Sequence, residues 1–197
     1  MKKTLALCAL LLLPAQTAPA SGGTRFLDTW SEMNTWESGV QAADFAQTLD
    51  KKLAFVAGRE GGVHIYSVVG EHLTTVPTKA PLAAMDIDQR GRTLYLAEQN
   101  GTCAVLRISM DSGVPSWSAQ GRWKTQARPV DVASLQDRQL VFVLEADSFV
   151  RMYSYSGTLL GFIRVPTGIF AIDLVPRSTV LHLMGRQGRY TAVRLHL

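Results

Sequence analysis

One feature restricts what this chain can fold into more than any other. Nearly its whole length is a recurring unit of apolar run, short polar turn and second apolar run, and an aspartate sits inside the first run each time. "AADFA" carries Asp44, "AMDID" Asp86, "PVDVA" Asp131 and "AIDLV" Asp173, at separations of 42, 45 and 42 residues. Second runs follow ("LAFVA", "TLYLA", "LVFVL", "TVLHLM"), then turns such as "GREGG", "EQNGT", "EADS" and "GRQGR", then third runs ending in "YTAVRLHL". The runs are short, rich in Val, Ile, Leu, Tyr and Phe, and bounded by turn residues, which is the signature of strands. No segment keeps a helical stripe for long enough to compete.

A fourth, weaker strand closes each of the first three units: "HLTTVPT", "PSWSAQGRW" and "TLLGFIRVP". The last unit lacks one, and "TRFLDTWSEMNTW", Thr24 to Trp36, has the matching character at the other end of the chain. Four strands at a period near 40–45 residues is the pattern of a β-propeller blade. The expected fold is therefore all-β, a small β-propeller of about four four-stranded blades starting near residues 40, 82, 129 and 169. Its ring would be closed by the N-terminal strand, which removes an exposed sheet edge.

"MDIDQRGRTLYLAEQNGTCAVLRIS" resembles an NHL or YVTN-type propeller repeat, and "ADFAQTLDKKLAFVAGREGGVHIYSVV" is similar to LVIVD-type repeats. The resemblance spans Val40 to Leu197 and implies WD40-like or YVTN-like architecture rather than one activity, because such superfamilies hold hydrolases, lactonases, receptors and scaffolds. Most members have six or more blades. Four blades therefore leave open a larger ring completed by a homodimer or a paralogue.

The first 20 residues read as a signal peptide: Met1-Lys2-Lys3, an apolar core from Leu5 to Leu13, and Ala18-Pro19-Ala20 before the cleavage site. Cys8 lies too early in that core for a lipoprotein. Residues 21–197 then form the exported domain, periplasmic, envelope-associated or secreted, and no later run is long enough for a transmembrane helix. Cleavage takes Lys2 and Lys3 from the 20 basic residues, leaving 18 against 16 acidic. That balance gives no reason to expect nucleic acid as a partner. Cys103 would be the one remaining thiol, read as a small core residue.

Several residues could carry chemistry. Four converging carboxylates, Asp44, Asp86, Asp131 and Asp173, could hold calcium or another divalent cation. Their apolar neighbours favour a structural role, each Asp bonding backbone N–H groups and fixing one blade against the next. The turns into the first strands offer Glu37, Lys79 and Arg128, with no repeated ligand set, so no metal or cofactor is expected. The second turns should share that rim and add Arg59, Glu60, Glu98, Gln99, Glu145, Asp147, Arg186 and Gln187, a mixed-charge surface suited to a protein partner. Glu98 and Glu145 stand at equivalent places in neighbouring units, as a carboxylate pair would. Trp30, Trp36, Trp117 and Trp123 form two pairs six residues apart in outer strands, where Trp30 and Trp117 could meet a partner. His64, His72, His182 and His196 show no zinc spacing, and no nucleophile elbow or phosphate loop occurs.

The function expected from these readings is a non-catalytic propeller binding another envelope or extracellular protein. A metal-dependent lactonase-like or hydrolase-like propeller is the rival, and a ring-completing subunit the third reading.

Overall fold

The computed structural model describes residues 35–48, 52–88, 90–110, 114–175 and 178–197. The signal-peptide segment, Thr24 and Trp30 lie outside them, so closure by the N-terminal strand does too.

Among the described residues fifteen strands form four antiparallel sheets, each a simple meander. The first holds β1 (Ala42–Gln47), β2 (Leu53–Gly58), β3 (Val63–Ser67) and β4 (His72–Val76). The second holds β5 (Leu82–Ile87), β6 (Thr93–Glu98), β7 (Thr102–Ser109) and β8 (Ser116–Lys124). The third holds β9 (Pro129–Leu135), β10 (Leu140–Glu145), β11 (Phe149–Ser154) and β12 (Leu159–Arg164). The fourth has three strands among the described residues: β13 (Ile169–Leu174), β14 (Val180–Gly185) and β15 (Tyr190–Arg194). These are four blades of a β-propeller.

The second strand of each blade explains why the blades stack. "LAFVAG" and "LVFVLE" are buried at every position, because a sheet packed on both faces needs an unbroken apolar run instead of alternation. In β2, Phe55 and Ala57 face the second sheet, where they meet Leu94, Leu96 and Ala104. The other face of the second sheet, with Tyr95, Ala97 and Cys103, meets Val132, Val141, Val143 and Tyr153 of the third. Phe142 and Leu144 of the third sheet meet Leu181 and Leu183 of the fourth. Each Val, Leu or Phe among them, fully buried, contributes about 1.5–3 kcal/mol.

Three sheet-to-sheet cores are thus made among the described residues. β1 lies along β5, β5 along β9 and β9 along β13, but among those residues no strand of the fourth sheet packs against the first in that way. The outward face of the first sheet carries a small cluster of Ala54, Val56 and Tyr66, covered by Trp36, Val40 and Ala42 of its own leading segment.

Strand pairing also corrects the aspartate ruler. Asp44 pairs with Ala57 and Asp131 with Leu144, one residue before the ends of β2 and β10. Asp86 pairs with Tyr95 and Asp173 with His182, three residues before the ends of β6 and β14. The four carboxylates therefore occupy two registers, offset by two residues. The offset preserves the face, since side chains alternate with period two, so it is invisible in the run pattern.

The true repeat is a pair of blades. Asp131 follows Asp44, and Asp173 follows Asp86, by 87 residues; Trp117, Trp123, Tyr153 and Gly157 follow Trp30, Trp36, Tyr66 and Gly70 by the same 87. Packing follows the sequence. Trp36 stacks on Tyr66 with ring centroids 4.7 Å apart, and Trp123 on Tyr153 at 5.5 Å. Gly70 and Gly157 both have positive φ, and in each a Cβ would strike the tryptophan, 2.6 and 2.5 Å away. Glycine is needed there on both counts.

Candidate functional site

The rim formed by the second turns is built from the backbone outward. In every blade the residue after the second strand donates its N–H to the segment entering the first: Arg59 to the Gln41 carbonyl at 2.7 Å, Gln99 to Pro81 at 2.9 Å, Ala146 to Arg128 at 2.9 Å and Arg186 to Gly168 at 3.0 Å. Second turns and first-strand approaches therefore share one edge of the blades. Arg59, Glu60, Lys79, Gln99, Arg128, Asp147, Arg186 and Gln187 are exposed along it, as is Glu37. Asp147 is gripped by Arg151, Nη2 to Oδ2 at 2.7 Å and Nη1 to Oδ1 at 3.1 Å, and this bonding lowers its pKa.

Glu98 and Glu145, expected on that solvated rim, are buried instead, at 0% and 1% exposure. Each ends its second strand pointing into the sheet. Glu145 accepts from the Ala127 N–H, from Arg151 Nη1 at 2.7 Å and from the Tyr153 hydroxyl at 3.0 Å. Glu98 accepts from Arg122 Nη2 at 2.7 Å on both oxygens and from Asn100 Nδ2 at 3.1 Å, and the Lys79 N–H points to it at 3.4 Å. Burial pushes the Glu145 pKa up, and the Ala127 N–H, Tyr153 hydroxyl and Arg151 act against it. These carboxylates fasten the loop from the preceding blade to their own sheet. The equivalent positions in the first and fourth blades are Gly58 and Gly185. A buried acid with every oxygen engaged is poorly placed to act as general acid or nucleophile.

The four aspartates are engaged as well. Asp44 accepts from its own neighbour Phe45 N–H at 2.8 Å and from Met85 N–H of the next sheet at 2.9 Å. Asp131 does the same with Val132 at 2.9 Å and Ile172 at 2.7 Å. Asp86 accepts from Ile87 N–H at 2.7 Å and from the Ser134 hydroxyl at 2.6 Å. Asp173 accepts from Leu174 N–H at 2.8 Å and is exposed. Burial pushes Asp86 up to about 6 and Asp131 up to about 7, with smaller contributions from the neighbouring aspartates. Among the described residues no group of three or more His, Cys, Asp or Glu is placed to hold a metal ion.

Trp117 lies away from the rim. It is 38% exposed and lines an open cleft of about 760 Å³ at the opposite end of the first two sheets, among Lys52, Arg90, Arg92 and Arg107. Sequence reading missed this basic cleft, because Arg107 of β7 and Arg90 and Arg92 of the turn before β6 are apart in the chain, and Lys52 reaches them from the first blade. Cys103 is 1% exposed and burial pushes its thiol pKa up, so it is an inert core residue. His64 and His182 are half-buried beside Thr75 and Tyr190, and His72 and His196 are exposed.

No family model matches the chain, and no curated protein does. Solved structures do. The β-propeller domain of Cps50 (Swd1) from Myceliophteria thermophila superposes with a TM-score of 0.67 at 12% identity, over 79% of this chain and 54% of that one. The WD40 repeats of RRP9 give 0.66 at 12% identity, over 80% and 49%. The computationally designed protein Ika4 gives 0.63 at 13% identity, over 85% and 100%. The chain thus spans about half the length of the first two and all of the third. At such identities the likeness fixes architecture alone. By that likeness the fold of the chain is a β-propeller, similar to the WD40-repeat propellers among these structures.

Proposed function

We propose that this chain is an exported, non-catalytic β-propeller whose rim binds another protein of the envelope or extracellular space. The observation that carries the reading is where the acidic groups go. The buried glutamates that a hydrolase would need are consumed in fastening blades. What remains on the rim is a set of exposed, mixed-charge side chains on turns held by a rigid scaffold, which is how binding surfaces are commonly built. Export rests on the Met1–Ala20 leader pattern and the absence of a later apolar span in the sequence.

Affinity capture from the native envelope and extracellular fractions tests the reading, with the wild type beside a variant carrying Arg59→Glu, Arg128→Glu and Arg186→Glu. All three arginines are exposed, so the fold should survive reversal of their charge. The expected result is one stoichiometric protein on the wild type that is lost from the variant, and a chain whose N-terminus is Ser21. A protein that comes out alone, or a partner indifferent to the reversals, would overturn the rim assignment.

A further inference from the structure

We propose that two copies of this chain close one ring, the bare face of the fourth sheet of each packing on the first sheet of the other. The 87-residue repeat makes the case residue by residue. The chain makes the contact between second and third sheets once, internally, with Tyr95 and Cys103 on one side and Val132 and Tyr153 on the other. Shifted by 87 in the appropriate direction, the same positions are His182 and Tyr190 on the fourth sheet, and Phe45 and Tyr66 on the first. Where the internal contact buries Cys103 to 1% and Val132 to 4%, their counterparts Tyr190 and Phe45 are 57% and 48% exposed. One chain therefore carries both halves of an interface it already knows how to form; on the first sheet Ala54, Val56 and Tyr66 are covered by its own Trp36, Val40 and Ala42, while Phe45 there and Tyr190 on the fourth sheet stay exposed.

The polar clamp repeats too. Asp86 reaches Ser134 across the internal interface at 2.6 Å. Its counterpart Asp173 bonds only its own neighbour among the described residues, and the counterpart of Ser134 is Gln47, also exposed. A Gln47 amide can donate to an Asp173 carboxylate as the Ser134 hydroxyl does to Asp86.

A second copy is favoured because, among the described residues of one chain, no strand of the fourth sheet lies along the first as β5 lies along β1. A head-to-tail contact that closes after two copies gives a ring with two identical seams, and leaves no open end to propagate. The seam is independent of what the rim binds.

The test uses the purified protein and two single variants, Gln47→Cys and Asp173→Cys, mixed and treated with a short bifunctional maleimide. Buried Cys103 stays silent in the wild-type control. The expected result is a covalent dimer in the mixture and a sedimentation mass twice that of one chain, with Phe45→Asp weakening association by about tenfold or more. The double variant identifies the alternative: a link formed within one chain would show that each copy closes on itself. That outcome overturns the proposal, as does a monomer mass without a link, or a dimer in which positions 47 and 173 do not react.

Discussion

Glu145→Ala is expected to destabilise the fold by about 3–5 kcal/mol, the cost of leaving two buried donors without their acceptor at about 1–3 kcal/mol each. Its removal leaves the Tyr153 hydroxyl and the Ala127 N–H without their acceptor at the junction of the second and third blades, and leaves Arg151 paired with Asp147 alone. For a chain of this size the melting temperature should fall by roughly 10 °C or more. Asp147→Ala is the control. It removes the other carboxylate bound to Arg151 but from an exposed site, where such pairs are worth about 1 kcal/mol or less. If the two variants melted alike, the fastening role of Glu145 would be wrong, and its carboxylate would again be a candidate for chemistry.

The second large effect is a pH dependence with an unusual sign. Asp86 and Asp131 titrate near 6 and 7 in the folded chain, above the ordinary value of 3.8. Folded, they bind protons more tightly than unfolded, so their contribution is fully present below pH 4 and lost as pH rises through 6 and 7. Together they should be worth about 7 kcal/mol over the whole range, of which about 4 kcal/mol is lost between pH 5 and pH 8. The protein should therefore melt roughly 10–15 °C higher at pH 5 than at pH 8. Two amide variants separate this electrostatic effect from the hydrogen bonds. In Asp86→Asn the oxygen can still accept from Ile87 N–H while the amide donates to the Ser134 oxygen, so stability at pH 8 should hold or rise and part of the pH slope should vanish. Asp131 accepts backbone N–H on both oxygens. Asn there turns one acceptor into a donor facing a donor, which should cost about 1–3 kcal/mol at any pH. Equal behaviour of the two variants would contradict the assigned bonds.

Much of the blade plan was legible because a strand packed on both faces must be a short apolar run between turns, and "LAFVA", "TLYLA" and "LVFVL" are such runs. The placing of the acids was not. Glu98 and Glu145 sit beside polar turns, and nothing local says that Lys79, Arg122, Ala127 and Arg151 converge on them. Burial there depends on the loop arriving from the neighbouring blade. The paired-blade repeat was visible as two tryptophan pairs six residues apart, but the aspartates were the poorer ruler, since a two-residue offset leaves every side chain on its expected face. The bare face of the fourth sheet was hidden for a related reason. Asp173, His182 and Arg194 alternate with leucine and valine there, and that alternation alone cannot tell a solvent-facing strand from one awaiting a partner.

The claim on which the account turns is that one chain makes three blade-to-blade faces and leaves the fourth to a second copy. Amide hydrogen exchange across a dilution series reads those faces directly. The account predicts slow exchange in β6 and β10 at every concentration, with β1, β13 and β15 losing protection on dilution as the seams come apart. Uniform protection of all four sheets, unchanged by dilution, would mean that a single chain closes its own ring.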